Sequence, residues 1–248
     1  MSSFFIVDLV VFILVIPRGK IMTTNYTETR NDTSEIDVRN DMIKLKEELS
    51  AICSILKYKD KQRSLVDILK EISKMAFSDE ISGLPNRTYF THYLSESIKK
   101  VRSSKESLAI IMINIDNFKK VNDIYGISAG DSIIEQFSKI LGGKVISVKN
   151  LIREKDLYSR YGSDVFSIIL PGATSQMAAR IAERIRSSIA NNVFTYNNNI
   201  IDTKITASFG VALFNSKINT PQELVEEADA AMYKAKKNGK NCVILQEE

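Results

Sequence analysis

From about residue 79 to the end of the chain, short apolar runs alternate with segments whose apolar residues recur every three or four positions. Leu108 to Ile115 is a continuous run, Leu-Ala-Ile-Ile-Met-Ile-Asn-Ile. It is too short for a buried helix and rich in β-branched residues, so it predicts a central strand. Phe166 to Leu170, stopped by Pro171-Gly172, predicts a second strand, Thr203 to Phe214 a third and Cys242 to Leu245 a short last one. Ser132 to Leu141, Ser175 to Ala190 and Pro221 to Asn238 carry helical periodicity. Pro221 sits just inside the start of its helix and Gly239 just past the end, where capping places them. The alternation predicts an α/β fold, helices flanking one central sheet.

Upstream the texture differs. Leu45, Leu49, Ile52 and Leu56 follow the alternating four-and-three spacing of a coiled-coil seam. A charged interval, Lys57 to Arg63, interrupts it, and the spacing resumes out of phase at Leu65, Leu69, Ile72 and Ala76. The slip is either a local change of supercoil or a break between two helices. Unbroken, residues 36–78 would make a rod of about 60 Å. A helix folded back on its own domain also satisfies the pattern, but the regular seam favours a homodimer. Residues 23–35 are polar with no apolar period and read as a disordered leader.

Residues 4–16 are apolar except for Asp8 and precede Pro17-Arg18-Gly19-Lys20. A spanning helix needs about 20 apolar residues, and a signal peptide carries its positive charge before the apolar run. Either the segment anchors weakly to a membrane, with Arg18 and Lys20 on the cytoplasmic side, or translation starts at Met22, which the shortness of the run favours. The expected location is the cytoplasm. The expected domains are a 1–35 apolar stretch and polar leader, a 36–78 helical or coiled-coil segment and a 79–248 α/β domain.

Hydrophobic residues make up 44% of the chain and charged ones 26%, an ordinary globular balance. A net charge of +4 spread along the chain argues for no polynucleotide partner, while a local basic cluster could still hold a small phosphorylated ligand. Cys53 and Cys242 lack metal-site spacing and read as reduced, buried thiols.

Five segments in order resemble the GGDEF domain of diguanylate cyclases. They are Asp79-Glu80-Ile81-Ser82-Gly83-Leu84-Pro85-Asn86-Arg87, Asn114 to Asp123, Tyr125-Gly126 with Gly130-Asp131, Arg160-Tyr161-Gly162-Ser163-Asp164-Val165-Phe166, and Ala228 to Asn241. The resemblance covers about residues 79 to 245 and implies a central mixed sheet flanked by helices, nucleotide-cyclase palm-like. It also implies a reaction in which two GTP molecules, one per monomer of a head-to-head dimer, become cyclic di-GMP. Divalent metals would neutralise the phosphates, which requires carboxylates at the strand end and in the hairpin.

Carried over residue by residue, the resemblance assigns Asn122 and Asp131 to the guanine edge and Lys119, Lys236 and Lys240 to phosphate. Lys240 stands where arginine is more usual and so lacks its fork. Asn114 replaces the family's metal-binding aspartate, Val165 its second hairpin acid, and Ser163 its second glycine. Asp164 and the Ile115 carbonyl are what remains for a metal, with Asp116 as a further acid, and Ile127 stands where histidine is usual. Two lost acids predict little or no cyclase activity, since one lost preorganised group costs about 10²–10³ in rate. Any remaining activity would need Mg²⁺; otherwise no cofactor is implied. Arg153-Glu154-Lys155-Asp156 matches the family's product-binding inhibitory motif, with Arg184 as a further phosphate contact, although a surface Arg–Asp pair explains the same residues. The expected ligand is therefore cyclic di-GMP or GTP, with a downstream protein partner that the sequence does not name. A weakly active cyclase and a pure dimerisation module are the alternatives.

Overall fold

The computed structural model describes residues 75–104, 106–142 and 153–246. The chain divides between Lys74 and Met75, and the described residues belong to the second unit. The seam from Leu45 to Ile72, the apolar stretch 4–16, the polar leader and Cys53 lie outside them. In chain order the elements are α1 (Arg87–Ser104), β1 (Leu108–Ile115), α2 (Phe118–Tyr125), α3 (Ile127–Leu141), β2 (Leu157–Arg160), β3 (Val165–Pro171), α4 (Ser175–Ala190), β4 (Thr195–Tyr196), β5 (Asn199–Ile200), β6 (Ala207–Leu213), α5 (Pro221–Lys237) and β7 (Val243–Leu245). Among the described residues no helix is long and apolar enough to cross a membrane.

The main sheet has the order β2-β3-β1-β6-β7. Its pairs are antiparallel except β6–β7. Every residue of β1 is buried, which explains the unbroken apolar run. Ala109, Ile111, Ile113 and Ile115 join one cluster with α3 and α4, while Leu108, Ile110 and Met112 join another with α1 and α5. Each fully buried isoleucine contributes about 1.5–3 kcal/mol relative to exposure. The mixed sheet between helices is the predicted architecture.

α5 starts as predicted: Thr220 Oγ1 accepts from the Glu223 N–H at 3.2 Å, with Pro221 inside the first turn. α5 lies so close to β6 that a methyl group at Gly210 would overlap the Ala228 carbonyl and the Met232 amide. Two boundaries differ from the apolar pattern. β6 begins at Ala207 rather than Thr203, because Ile201 and Ile205 bury themselves from an irregular segment. α3 begins at Ile127 rather than Ser132; Ile127 is 75% exposed and hides the period. Cys242 is half-buried rather than buried, its thiol 3.4 Å from the Ala235 carbonyl.

Candidate nucleotide site

The end of β1 meets the β2–β3 hairpin. The ladder pairs Asn114 with Val165 on one side and Ser208 on the other, and the Ile115 N–H donates to the Asp164 carbonyl at 3.1 Å. Two amides close the hairpin, Tyr161 and Gly162 donating to the Val165 carbonyl at 2.8 and 2.9 Å. Arg160 then locks it from outside. Its Nη2 donates to the Ser163 carbonyl at 2.6 Å, and its Nη1 reaches Asp79 at 2.9 Å. Asp79 also accepts from the Ser82 N–H and hydroxyl, both at 2.8 Å. Burial alone would raise the Asp79 carboxyl, but the Ser82 N–H and the Arg160 guanidinium outweigh it and hold the group below its ordinary value. Opening turn and hairpin are thus one hydrogen-bonded unit. The resemblance supplied both segments, but their ion pair joins residues far apart in the chain and is invisible to local pattern.

Asn114 and Val165, the two positions that lack the family's acids, are direct cross-strand neighbours. Asn114 is 6% exposed, and Val165 packs against the cluster built by α1 and α5. Beside them Asp164 is half-buried and accepts from the Ser163 hydroxyl at 3.1 Å. Asp116 is already engaged. It accepts from the Ser208 and Thr206 hydroxyls, both at 2.7 Å, and from the Asn241 N–H at 3.0 Å. Its role is to tie β1 to β6 and to the loop after α5. The local donor set is therefore one carboxylate, one neutral amide and one backbone carbonyl next to an apolar side chain. It does not fit the two-carboxylate cradle that the resemblance implies. Among the described residues no cluster of three metal-binding acids, histidines or cysteines is present.

Asn122 and Asp131, which the resemblance assigns to the guanine edge, lie on consecutive helices. α2 and α3 are consecutive, joined at Gly126, whose N–H donates to the Asn122 carbonyl at 2.9 Å. The Asn122 carboxamide oxygen is buried with no hydrogen-bond partner. A methyl group at Gly130 would overlap that oxygen and crowd the Phe118 ring, so glycine makes the space in which the carboxamide lies. Asp131 follows at once, half-buried. An unpaired buried acceptor costs roughly 1–3 kcal/mol, which a donor on a bound base edge would offset. The opening turn borders this region, the Ser138 hydroxyl on α3 donating to the Ser82 carbonyl at 2.8 Å.

The lysines approach from two elements. Asn117 (φ 54) turns the chain into α2, whose first-turn amides have no carbonyl partner within the helix. Lys119 is exposed on that turn. Lys236 is half-buried at the end of α5 and Lys240 is exposed beyond it. The Asn241–Asp116 bond brings the Lys240 loop to the end of β1.

The Arg153/Asp156 pair lies elsewhere, leading into edge strand β2. Asp156's side chain is 0% exposed and Arg153's 32%, and they pair at 2.8 Å. The carboxylate also accepts from the Arg153 backbone N–H at 3.0 Å. The sequence alone leaves these residues as a ligand site or a surface pair; the pair is not wholly at the surface, because Arg153 is the cation that neutralises a buried carboxylate. The Tyr158 hydroxyl, two residues on, is buried without a partner; burial, then the Asp156 charge, push its pKa well up. Arg184 is exposed on α4, which packs over β6, β7 and β1 rather than β2.

Comparison with known proteins agrees with this geometry. Residues 76–242 match the family described as "Diguanylate cyclase, GGDEF domain". Diguanylate cyclase A of Treponema denticola is 35% identical over 178 residues, 71% of this chain and 46% of that protein. Response regulator PleD of Caulobacter vibrioides is 33% identical over 188 residues, 76% of this chain and 39% of that protein. The chain thus spans less than half the length of these curated relatives. Among solved structures, the GGDEF domain of DgcB from Caulobacter crescentus, in complex with c-di-GMP, superimposes with a TM-score of 0.64 at 26% identity, covering 70% of this chain and 94% of that one.

Proposed function

The chain belongs to the GGDEF family of diguanylate-cyclase domains, and from that premise we propose that it is a cyclic di-GMP signalling protein that binds guanine nucleotide without making cyclic di-GMP. The observation that carries this reading is the Asn114–Val165 pair. Two adjacent strand positions, one neutral and one packed into an apolar cluster, leave Asp164 as the single acid beside them. The groups that recognise a nucleotide are intact. Asn122 and Asp131 offer an acceptor set for a guanine edge, and Lys119, Lys236 and Lys240 offer cations for phosphate. A site of this composition holds the nucleotide yet has little means of neutralising charge that develops during transfer.

Cyclic di-GMP is the favoured ligand, taken at Arg153 and Asp156, with GTP at the Asn122/Asp131 site as the lesser one. A guanidinium forks a phosphate or stacks on guanine, and a carboxylate accepts from the guanine edge. Because these two side chains hold each other, the ligand must exchange that pairing for its own contacts. Signal passes to a partner through the N-terminal helical segment, which also makes the protein a cytoplasmic homodimer.

The second reading, a weak diguanylate cyclase needing Mg²⁺, rests on Asp164 and the Ile115 carbonyl, with Asp116 as a further acid. Incubating the purified chain with GTP and Mg²⁺ or Mn²⁺, beside a metal-free calorimetric titration of cyclic di-GMP, separates the two. Binding without turnover is expected. Turnover at the level of an ordinary cyclase removes the proposal, and so does failure to bind either nucleotide. Asn114→Asp combined with Val165→Glu should raise synthesis by about 10²-fold or more, as restored charge stabilisation requires.

A further inference from the structure

Gly239, Lys240 and Asn241 have φ of 96°, 65° and 46°, three successive residues in the left-handed region. Glycine adopts it freely and asparagine tolerates it, but lysine does so at a cost of about 1–2 kcal/mol. Such a conformation persists only where its surroundings over-determine it. Here the loop is held from two sides. On one side the Asn241 N–H donates to Asp116 at the end of β1. On the other, Arg186 of α4 donates from Nη1 to the Asn241 side-chain oxygen at 2.8 Å and to its carbonyl at 3.3 Å. Arg186 is itself fixed by Glu183, which accepts from Nε at 2.8 Å and from Nη2 at 2.6 Å. Its side chain is only 19% exposed.

We propose that Arg186 is a positioning residue for the phosphate contact of Lys240, acting through Asn241. The inference rests on the reading that Lys240 meets nucleotide phosphate. Arg186 is directed into the protein, with all three of its nitrogens donating to Glu183 and Asn241, and it touches no ligand. Through Asn241 it sets where the Lys240 Cα lies, and in which direction its side chain leaves the loop. A flexible lysine on a free loop would have to be ordered on binding; a lysine on a loop clamped at the next residue starts ordered. Only an arginine spans the two acceptor groups at once, because its fork presents separate nitrogens to each.

The test is a double-mutant cycle on the full chain with Mg²⁺ present, measuring GTP and guanosine affinities by calorimetry. Arg186→Lys keeps the charge but loses the fork, and it should weaken GTP about five- to tenfold, part of the roughly ten- to hundredfold that a charge-assisted contact is worth. Guanosine, which has no phosphate, should bind the variant as it binds the wild type. Asn241→Gly, which keeps the left-handed backbone but removes the side-chain acceptor, should act in the same direction. The double variant Arg186→Lys/Lys240→Ala should bind GTP no more weakly than Lys240→Ala alone. Unchanged GTP affinity in Arg186→Lys, additive losses, or a parallel loss of guanosine each overturn the proposal. The last two would show Arg186 acting through its field or through folding. A wild-type chain that binds neither ligand removes the nucleotide reading itself, and this inference with it.

Discussion

Arg153 and Asp156 form an ion pair on which the fold depends, and the proposed ligand contact would have to share it. With Arg153 removed, Asp156 keeps only a backbone N–H for a carboxylate that is wholly screened from water. Stranding one member of a buried pair is costly, and with Arg153 itself about a third exposed we expect Arg153→Ala to lose roughly 2–3 kcal/mol. A drop in urea midpoint without change of slope would register it. The same variant is a poor binding probe for that reason. Arg153→Lys retains a cation for Asp156 and loses the fork, so its cyclic di-GMP affinity should fall about tenfold at near-native stability. An Arg153→Ala protein as stable as wild type would contradict the burial argument.

At the scale of elements, the opening turn and the β2–β3 hairpin behave as one piece because Arg160 and Asp79 join them. The Asp79 carboxyl lies below its ordinary value of 3.8, so as pH falls the unfolded chain takes up this proton first. The stabilisation is therefore complete above the ordinary value and is lost as pH falls through the lower, folded one. Comparing wild type with Asp79→Asn, the stability difference should be constant above the ordinary carboxylate range and shrink as pH falls below 3.8. A difference that grows on acidification would mean that Asp79 is not held by Arg160. α5 and its loop show a similar dependence on distant partners: the helix carries Lys236, but Asp116 and Arg186 hold the loop that carries Lys240.

For the molecule as a whole, the boundary matters. The Asn86 N–H donates to the Phe77 carbonyl at 2.9 Å and its side-chain amide to the Ala76 carbonyl at 2.8 Å, while Ser78 bridges Pro85. Residues 75–78 are thus built into the domain they precede, hydrogen-bonded to its opening turn. A fragment of residues 75–248 should unfold in one transition. A fragment starting at residue 79 loses these bonds, about 1–3 kcal/mol, and should melt about 3–10 °C lower. Equal melting temperatures would show that residues 75–78 add nothing.

The sequence by itself determined one sheet flanked by helices, its buried central strand and the caps of α5. These follow from local periodicity and from residues whose backbone preferences are their own. It also determined which side chains could meet a nucleotide, because Asn122, Asp131 and the lysines stand at motif spacing, and it showed that Asn114 and Val165 lack the acids. Tertiary structure decided that those two substitutions are neighbours on one apolar face, since strand register joins positions far apart in the chain. It decided too that Asp116 ties β1 to the start of β6 and to the loop after α5, and that the Asp156 side chain is buried. Burial and hydrogen-bond partnership are properties of the assembled sheet, and an acidic residue in a linear sequence reads the same whether it faces water, a cation or three hydrogen-bond donors.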